Sequence, residues 1–408
     1  MFTIFNKDKQ NVPVKIWRNN IEEVEQACLD QAIDVSNHPA IFRQIVLAPD
    51  CHKGYGLPVG GVAAFEGVVS PYCVGVDIAC GMLAYPLHID AGELSEDMLK
   101  LIVHQIKRDI PMGTNHNAID KWSNQTIDLV CDYKQKCIAK NIDMNDDINE
   151  VAVNFQLGTL GGGNHFLEIQ KDKTNSVWIM IHSGSRNIGY RIANYYDSLA
   201  KRMCKQWKVA LPNNDLAFLP VDDRIGIKYL LDMEFCMEFS YSNRLCMLKA
   251  ILSAFDKHIK NTSFDFGVSL DPVSVINIHH NYASLENHFG KNVWIHRKGA
   301  TSAKKGQIGI IPGSMGSSSY IVEGKGNAES FMSCSHGAGR TMSRKEANRI
   351  FSLEEFREKM SGVVTFDVDS AHLDESPMAY KDINEVIKLQ EDLITPIHEL
   401  TPLANCKG

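Results

Sequence analysis

Asp77 and Cys80 lie in the run GVDIACGM, a carboxylate and a thiol three residues apart beside Gly81. From one tight turn the two side chains can face the same way and share a cation. The same pair also reads as a buried structural cysteine with an aspartate capping the turn. His165 follows three glycines and Asn164 in LGGGNHFLEI, with Glu168 three residues on, and His182 ends the apolar run of WIMIHSGSR, ahead of Arg186. His280, in INIHHNYAS, is a further imidazole of this kind, flanked by His279 and Asn281. Each of these histidines reads either as a metal ligand or as a satisfied strand-end residue. His336 stands in SCSHGAGR, where small neighbours leave its ring open and Arg340 follows four residues later. An open imidazole can be a ligand, a general base or a covalent nucleophile, and an arginine beside it can grip phosphate with two parallel hydrogen bonds. The plainer alternative is a histidine in a flexible loop.

A basic, glycine-rich segment adds to this set. RKGATSAKKGQIGIIPGSMGSSSY contains Arg297, Lys298, Lys304 and Lys305, then Ser314, Ser317, Ser318 and Ser319. Cations together with glycine-freed backbone N–H groups suit phosphate, although no GxxxxGK[ST] loop is present. A solvated basic loop would have the same composition. The run APDCHKGYGLPVGG supplies Asp50 and His52, ambiguous when isolated. One carboxylate, one thiol and several imidazoles with phosphate-binding cations imply a transition metal, and the thiol's softness points to zinc. Metal-assisted phosphoryl or nucleotidyl chemistry is the class these residue types support.

The elements that must position these groups are punctuated by glycine. Residues 54–81 hold seven glycines, 158–163 four and 299–339 nine, so 20 of the 29 fall in 75 residues. Glycine is placed where backbone bends sharply or approaches a ligand closely. Short strand-like runs border these clusters at 45–48, 61–65, 177–181, 292–295 and 308–311, and several lead into a polar residue. Between them the pattern is helical. Ser95 is positioned to cap a helix containing Met98, Leu99, Ile102, Val103 and Ile106, and helices are expected over about 188–207, 226–260 and 384–400.

With 408 residues, 44% hydrophobic and 22% charged, the composition is that of a globular protein and excludes a disordered or fibrous one. No repeat or linker divides the chain, which reads as one domain over 1–408, α+β, with sheets at the centre, helices outside and the site in a cleft. The net charge of −7 confines any nucleic-acid site to a local cluster of Arg and Lys. Eleven cysteines without a CxxC pair, no apolar leader and no long apolar run imply a reduced, cytoplasmic protein with no membrane span.

GVDIACGM, LGGGNHFLE, HSGSR, HHN, RKGA, IPGSMG, SCSHGAGR, AYKDI and the terminal CKG occur in this order, and the chain resembles the RtcB RNA ligases from about residue 47 to 408. The resemblance implies an RtcB-type fold and a GTP- and Mn²⁺-dependent ligase. Such an enzyme joins an RNA 3′-phosphate or 2′,3′-cyclic phosphate end to a 5′-hydroxyl end, in tRNA splicing or RNA repair. By motif, Asp77, Cys80, His165, His182 and His280 would hold two manganese ions, and His336 would be the guanylylated nucleophile. Asn164, Arg186 and Arg340 would bind phosphates. Glu168, Ser314, Ser319, Tyr380 and Lys407 would line the guanine and ribose pocket, with Asp50, His52 and Lys298 in support. An archease-type activator and a monomeric state are further expectations. Ala79, Cys51 and Asn187 depart from the family pattern, where glycine, valine and glycine respectively are usual, and hint at a divergent paralogue.

Two other functional classes fit parts of this constellation. A dinuclear metallo-phosphoesterase would use the same ligand types without a covalent histidine or a guanine pocket. A non-catalytic RNA-end binder would need neither His336 nor Lys407.

Overall fold

The computed structural model describes residues 1–117, 121–259 and 273–408. Two mixed-sequence sheets form its centre. The larger runs in the order Ile276–His279, Gly81–Asp90, Ser176–Ser183, Phe166–Lys171, Ile394–Lys407, Ser319–Gly324 and Ile308–Ile311, each strand antiparallel to its neighbours. The second runs Phe2–Ile4, Val14–Ile16, Ile41–His52, Val59–Phe65, Lys291–Lys298 and Asn281–His288, with one parallel pair between Val14–Ile16 and Ile41–His52. His280 is the joint between the two: a strand of the first sheet ends at His279 and a strand of the second begins at Asn281. The fold is α+β, as the sequence implied.

Strand alternation sorts the side chains of the larger sheet. Leu83, Leu167, Ile169, Ile179, Ile181 and Cys406 form one apolar face, buried against the helices Glu96–Asp109 and Arg224–His258. Register pairs Met82, His182, Phe166 and Lys407 side by side, and so places them on the opposite face. Glu168, two residues from Phe166, shares that face. One face is apolar throughout, and the other combines a second apolar cluster with the polar groups His182, Glu168 and Lys407.

The helices follow from capping and periodicity. Ser95 Oγ accepts a hydrogen bond from Met98 N at 3.3 Å, Glu96 and Asp97 occupy the first turn, and Lys107 and Arg108 the last. That charge order matches the helix dipole. The expected helices at 188–207 and 226–260 appear as Arg186–Gln206 and Arg224–His258. Residue 260 lies outside the described residues. The longer helix carries buried polar groups that reach the sheets. Arg244 Nη1 donates to Ser183 O at 2.8 Å and its Nε to Asn277 Oδ1 at 2.7 Å, tying together the strand ends beside His182 and His279.

The expected helix at 384–400 is corrected. Only Ile383–Lys388 is helical, and Ile394–Lys407 is a 14-residue strand. Pro396 and Pro402 cannot donate a backbone N–H, and each sits beside a shift in strand register, where a sheet tolerates proline. Isoleucine and threonine at 394, 395, 397 and 401 favour the extended chain. This strand brings Lys407 from the end of the sequence to the centre of the molecule. Among the described residues no helix is long and apolar enough to cross a membrane, and all eleven cysteines are free thiols.

Candidate active site

The GVDIACGM turn closes with a hydrogen bond from Cys80 N to Asp77 O (3.1 Å) and runs directly into the strand Gly81–Asp90. Gly81 is required there, because a Cβ would lie 2.1 Å from Ile278 O on the neighbouring strand. Ala79 adopts φ +60° within the turn, with its N–H fixed on Asn281 O at 2.7 Å. The left-handed conformation explains why glycine suits this position, and alanine is strained in it. The substitution Ala79→Gly is therefore expected to raise stability by about 1 kcal/mol, read as a higher denaturant midpoint; an unchanged or lower midpoint would contradict this account of the turn.

His182 from the strand Ser176–Ser183, His165 just ahead of Phe166–Lys171, and His280 at the joint of the sheets converge on Cys80. Its Sγ lies 3.2 Å from His182 Nε2 and 3.4 Å from His165 Nε2. His182 Nε2 is 3.4 Å from His280 Nε2, and His165 Nε2 is 3.1 Å from Asp77 Oδ2. His182 Nδ1 bonds to Asn164 O at 3.0 Å, which fixes the tautomer and leaves a lone pair on Nε2 facing the thiol. Two overlapping groups result, Cys80–His182–His280 and Asp77–Cys80–His165, with Cys80 common to both and the ligand atoms of each within 4.8 Å of one another.

The electrostatics suit cations. Burial and neighbouring histidines push the pKa values of His182 and His280 well below the usual imidazole range, so both rings are neutral. Burial raises Asp77, but the hydrogen bonds of His165 and Cys80 and the nearby His165 and His182 together more than offset it, and the carboxyl stays ionised. Burial and the Asp77 charge hold the Cys80 thiol well above its usual value. A divalent ion would reverse that, because a coordinated thiol is deprotonated. Converging imidazole lone pairs, a thiol and a carboxylate fit one or two such ions.

His336 follows the short strand Ser333–Ser335 and borders this cluster, its ring centroid 4.8 Å from that of His280. Asp50, fully buried in the strand Ile41–His52, accepts through Oδ2 from both His336 N (3.1 Å) and His336 Nδ1 (2.7 Å). The paired Nδ1 leaves Nε2 as the nitrogen with a free lone pair. His52 Nδ1 bonds to Asp50 O at 3.1 Å, and burial lowers its pKa to about 4.

A cavity of about 420 Å³ opens over these groups. Its wall includes Asp77, Cys80, Asn164, Glu168, His182, His280, Lys298, Ser314, His336, Arg340, Tyr380 and Lys407. Arg340 presents a buried Nη2 without a hydrogen-bond partner. Lys407 Nζ pairs with Glu375 at 2.5 Å, and Tyr380 donates to the same carboxylate at 2.8 Å. Burial lifts Glu168 to about 8 despite the nearby Lys407. Four expected residues lie off the wall: His165 and Asp50, which bond to the wall residues Asp77 and His336, and Arg186 and Ser319. Arg186 donates to Thr159 Oγ1 (3.0 Å) and Gly113 O (3.1 Å), and Ser319 Oγ accepts from Gln170 and Gly313 N. Lys298 is buried, with its ammonium donating to the carbonyls of Tyr55 and Tyr72.

Sequence reasoning missed Glu375 and Arg344. Glu375 pairs with Lys407 and Arg344, which with Tyr380 hold it near a pKa of 2 against the effect of burial. Its local sequence, HLDESPMAY, carries no signal of that role.

Residues 31–408 match the family described as tRNA-splicing ligase RtcB. The chain belongs to the RtcB family. It is 38% identical to RNA-splicing ligase RtcB1 of Escherichia coli strain ATCC 25922, over 98% of both chains. It is 33% identical to the tRNA-splicing ligase RtcB of Nanoarchaeum equitans, over this whole chain and 98% of that one. The RNA-splicing ligase RtcB of Mycobacterium bovis is 30% identical, over 93% of this chain and the whole of that one. RtcB proteins are ligases, and the buried histidine–cysteine cluster and His336 of this member share one cavity.

Proposed function

We propose that this chain is a GTP-dependent RNA ligase that joins 3′-phosphate or 2′,3′-cyclic phosphate ends to 5′-hydroxyl ends through guanylylated His336. The observation that carries this reading is the His336 ring, held by Asp50 at 2.7 Å and placed against a histidine–cysteine–aspartate cluster with the spacing of metal ligands. Two Mn²⁺ ions, held by Asp77, Cys80, His165, His182 and His280, would neutralise the triphosphate when bound.

In this reading His336 Nε2 attacks the α-phosphorus of GTP, the bond to pyrophosphate breaks, and GMP remains on the ring. Asp50 holds the Nδ1 proton and balances the positive charge that develops on the imidazole. An oxygen of the RNA 3′-phosphate then attacks the bound GMP phosphorus, which frees His336 and forms RNA(3′)pp(5′)G. The 5′-hydroxyl attacks the RNA phosphorus of that intermediate and GMP leaves. A cyclic end is hydrolysed to the 3′-phosphate first. Arg340, with its unpartnered Nη2, and the neighbouring Asn164 support the phosphates; Arg186 would have to exchange its present carbonyl partner to join them. Glu168, Ser314, Tyr380 and Lys407 form the base and ribose subsite, and Ser319, off the wall, supports it through Gln170 and Gly313. A monomeric state and an archease-type activator belong to the same proposal.

The test is joining of 3′-phosphate RNA to 5′-hydroxyl RNA with Mn²⁺, with and without GTP. Ligation that requires GTP is expected; phosphate release without GTP would point instead to a metallo-phosphoesterase.

The Glu168 carboxyl gives a pH signature. With its pKa near 8 it is largely protonated at neutral pH, whereas accepting N–H groups of guanine requires the carboxylate. GTP affinity should therefore rise as pH increases towards about 8 and level off above it. Titration calorimetry of the wild type and Glu168→Gln checks this, since the variant should lose the rise. An identical pH dependence in both would remove Glu168 from guanine recognition.

A further inference from the structure

At the rim of the cavity, Tyr55 is 65% exposed, yet the loop carrying it is clamped. Gln31 Nε2 donates to the carbonyls of Gly54 (3.1 Å) and Gly56 (2.7 Å), and Gln31 Oε1 accepts from Gly54 N at 3.0 Å. Lys298 Nζ donates to the Tyr55 carbonyl and, at 3.1 Å, to that of Tyr72. Gly56 has φ +63°, and a Cβ there would sit 2.8 Å from the Tyr72 carbonyl carbon, so the loop rests directly on that residue. The two tyrosine rings lie 6.2 Å apart, tilted by 50°. Tyr72 is itself anchored, its hydroxyl donating to Asn194 Oδ1 at 3.0 Å and the Lys201 ammonium lying 4.7 Å from its ring centroid.

The platform is coupled to the site. The Lys298 stem that supports it passes within 3.3 Å of where a Gly75 Cβ would be, two residues before Asp77. Tyr55 and Lys53 both belong to the cavity wall that includes His336. Lys53 is exposed and makes no ion pair among the described residues. A large exposed ring contributes little to folding, and because its backbone is already clamped, the loop loses little conformational freedom when a flat ligand covers the ring. Aromatic side chains beside free cations are the means by which proteins hold single-stranded nucleic acid without reading its sequence, because every base has a π face.

We propose that Tyr55, backed by Tyr72 and flanked by Lys53, is a stacking platform for the terminal base of a single-stranded RNA end delivered to His336. This rests on the RNA-ligase reading above. Lys53 takes the phosphate next to that base, and the joining reaction is tolerant of which base is present.

The experiment is steady-state joining of 3′-phosphate to 5′-hydroxyl RNA by the full chain. Tyr55→Ala should raise KM for RNA by about tenfold, with kcat changed less, while Tyr55→Phe and Tyr55→Trp stay within about twofold of wild type. A second arm places an abasic nucleotide at the 3′-phosphate end or at the 5′-hydroxyl end. The wild type should lose affinity with one of the two, which names the end that stacks, and Tyr55→Ala should be indifferent to that same change. Unchanged KM in Tyr55→Ala, or full abasic sensitivity retained in it, overturns the platform. Should Tyr55→Ala fail to fold, weakened binding in Tyr55→Phe together with a wild type indifferent to both abasic ends overturns it equally. A wild type that takes no GMP from GTP and joins no RNA overturns the underlying ligase reading, an outcome distinguishable from failure of the platform alone.

Discussion

Replacing His336 by alanine is expected to abolish transfer of GMP to the protein and to lower RNA joining by about 10³-fold or more, the scale on which loss of a covalent nucleophile acts. The proposed chemistry requires a nitrogen with a free lone pair held in a fixed orientation, and the Asp50–His336 hydrogen bond fixes the ring that carries it. The variant also leaves a buried carboxylate without its strongest partner. Burial alone would raise the Asp50 pKa, and His336 is the main group that keeps it low. Some loss of stability, about 1–3 kcal/mol, is therefore expected beside the loss of activity. His336→Asn separates the two effects, since an amide can still donate to Asp50 but cannot carry GMP. Radiolabel from GTP should be absent from both variants, and the melting temperature should fall less in the asparagine one. Label retained in either would exclude His336 as the acceptor.

Cys80→Ala should lose divalent metal and ligation together. Cys80 belongs to both ligand groups, whereas His280 belongs to one and His165 to the other. Removing a shared thiol opens both groups, while removing a terminal imidazole opens one. Metal content by mass spectrometry is thus expected to fall further in Cys80→Ala than in His280→Ala, with joining activity reduced by about 10²-fold or more. Fold should survive, because a buried thiol-to-methyl change costs only about 1 kcal/mol of packing. Normal metal content with normal joining would remove Cys80 from the ligand set.

Asp77, Cys80, His165, His182 and His336 were legible because each stands within three residues of a glycine, and several of these glycines have a structural reason to be there, whereas His280 has no such neighbour. Gly81 admits the neighbouring strand, and the unusual φ of Ala79 marks a turn whose demand survives even where glycine does not. Helices with clean caps, such as the one opened by Ser95, were equally readable. The carboxyl-terminal strand was not, since its apolar spacing mimics a helix and only Pro396, Pro402 and the β-branched residues between 394 and 401 argue otherwise. Misreading that strand hides why Lys407 is central: its position depends on pairing with Phe166–Lys171, some 240 residues earlier. Glu375 was invisible for the same reason, because its partners Arg344 and Lys407 are distant in sequence. Asp50 could be noticed as a carboxylate beside His52, but its grip on His336 exists only after two strands have been brought together.

The most direct test is the intact mass of the purified, RNA-free protein after incubation with GTP and Mn²⁺, followed by peptide mapping. A single acid-labile GMP adduct on the peptide containing His336 is the predicted result. No adduct, or one carried by another residue such as Lys298 or Lys407, would contradict the account.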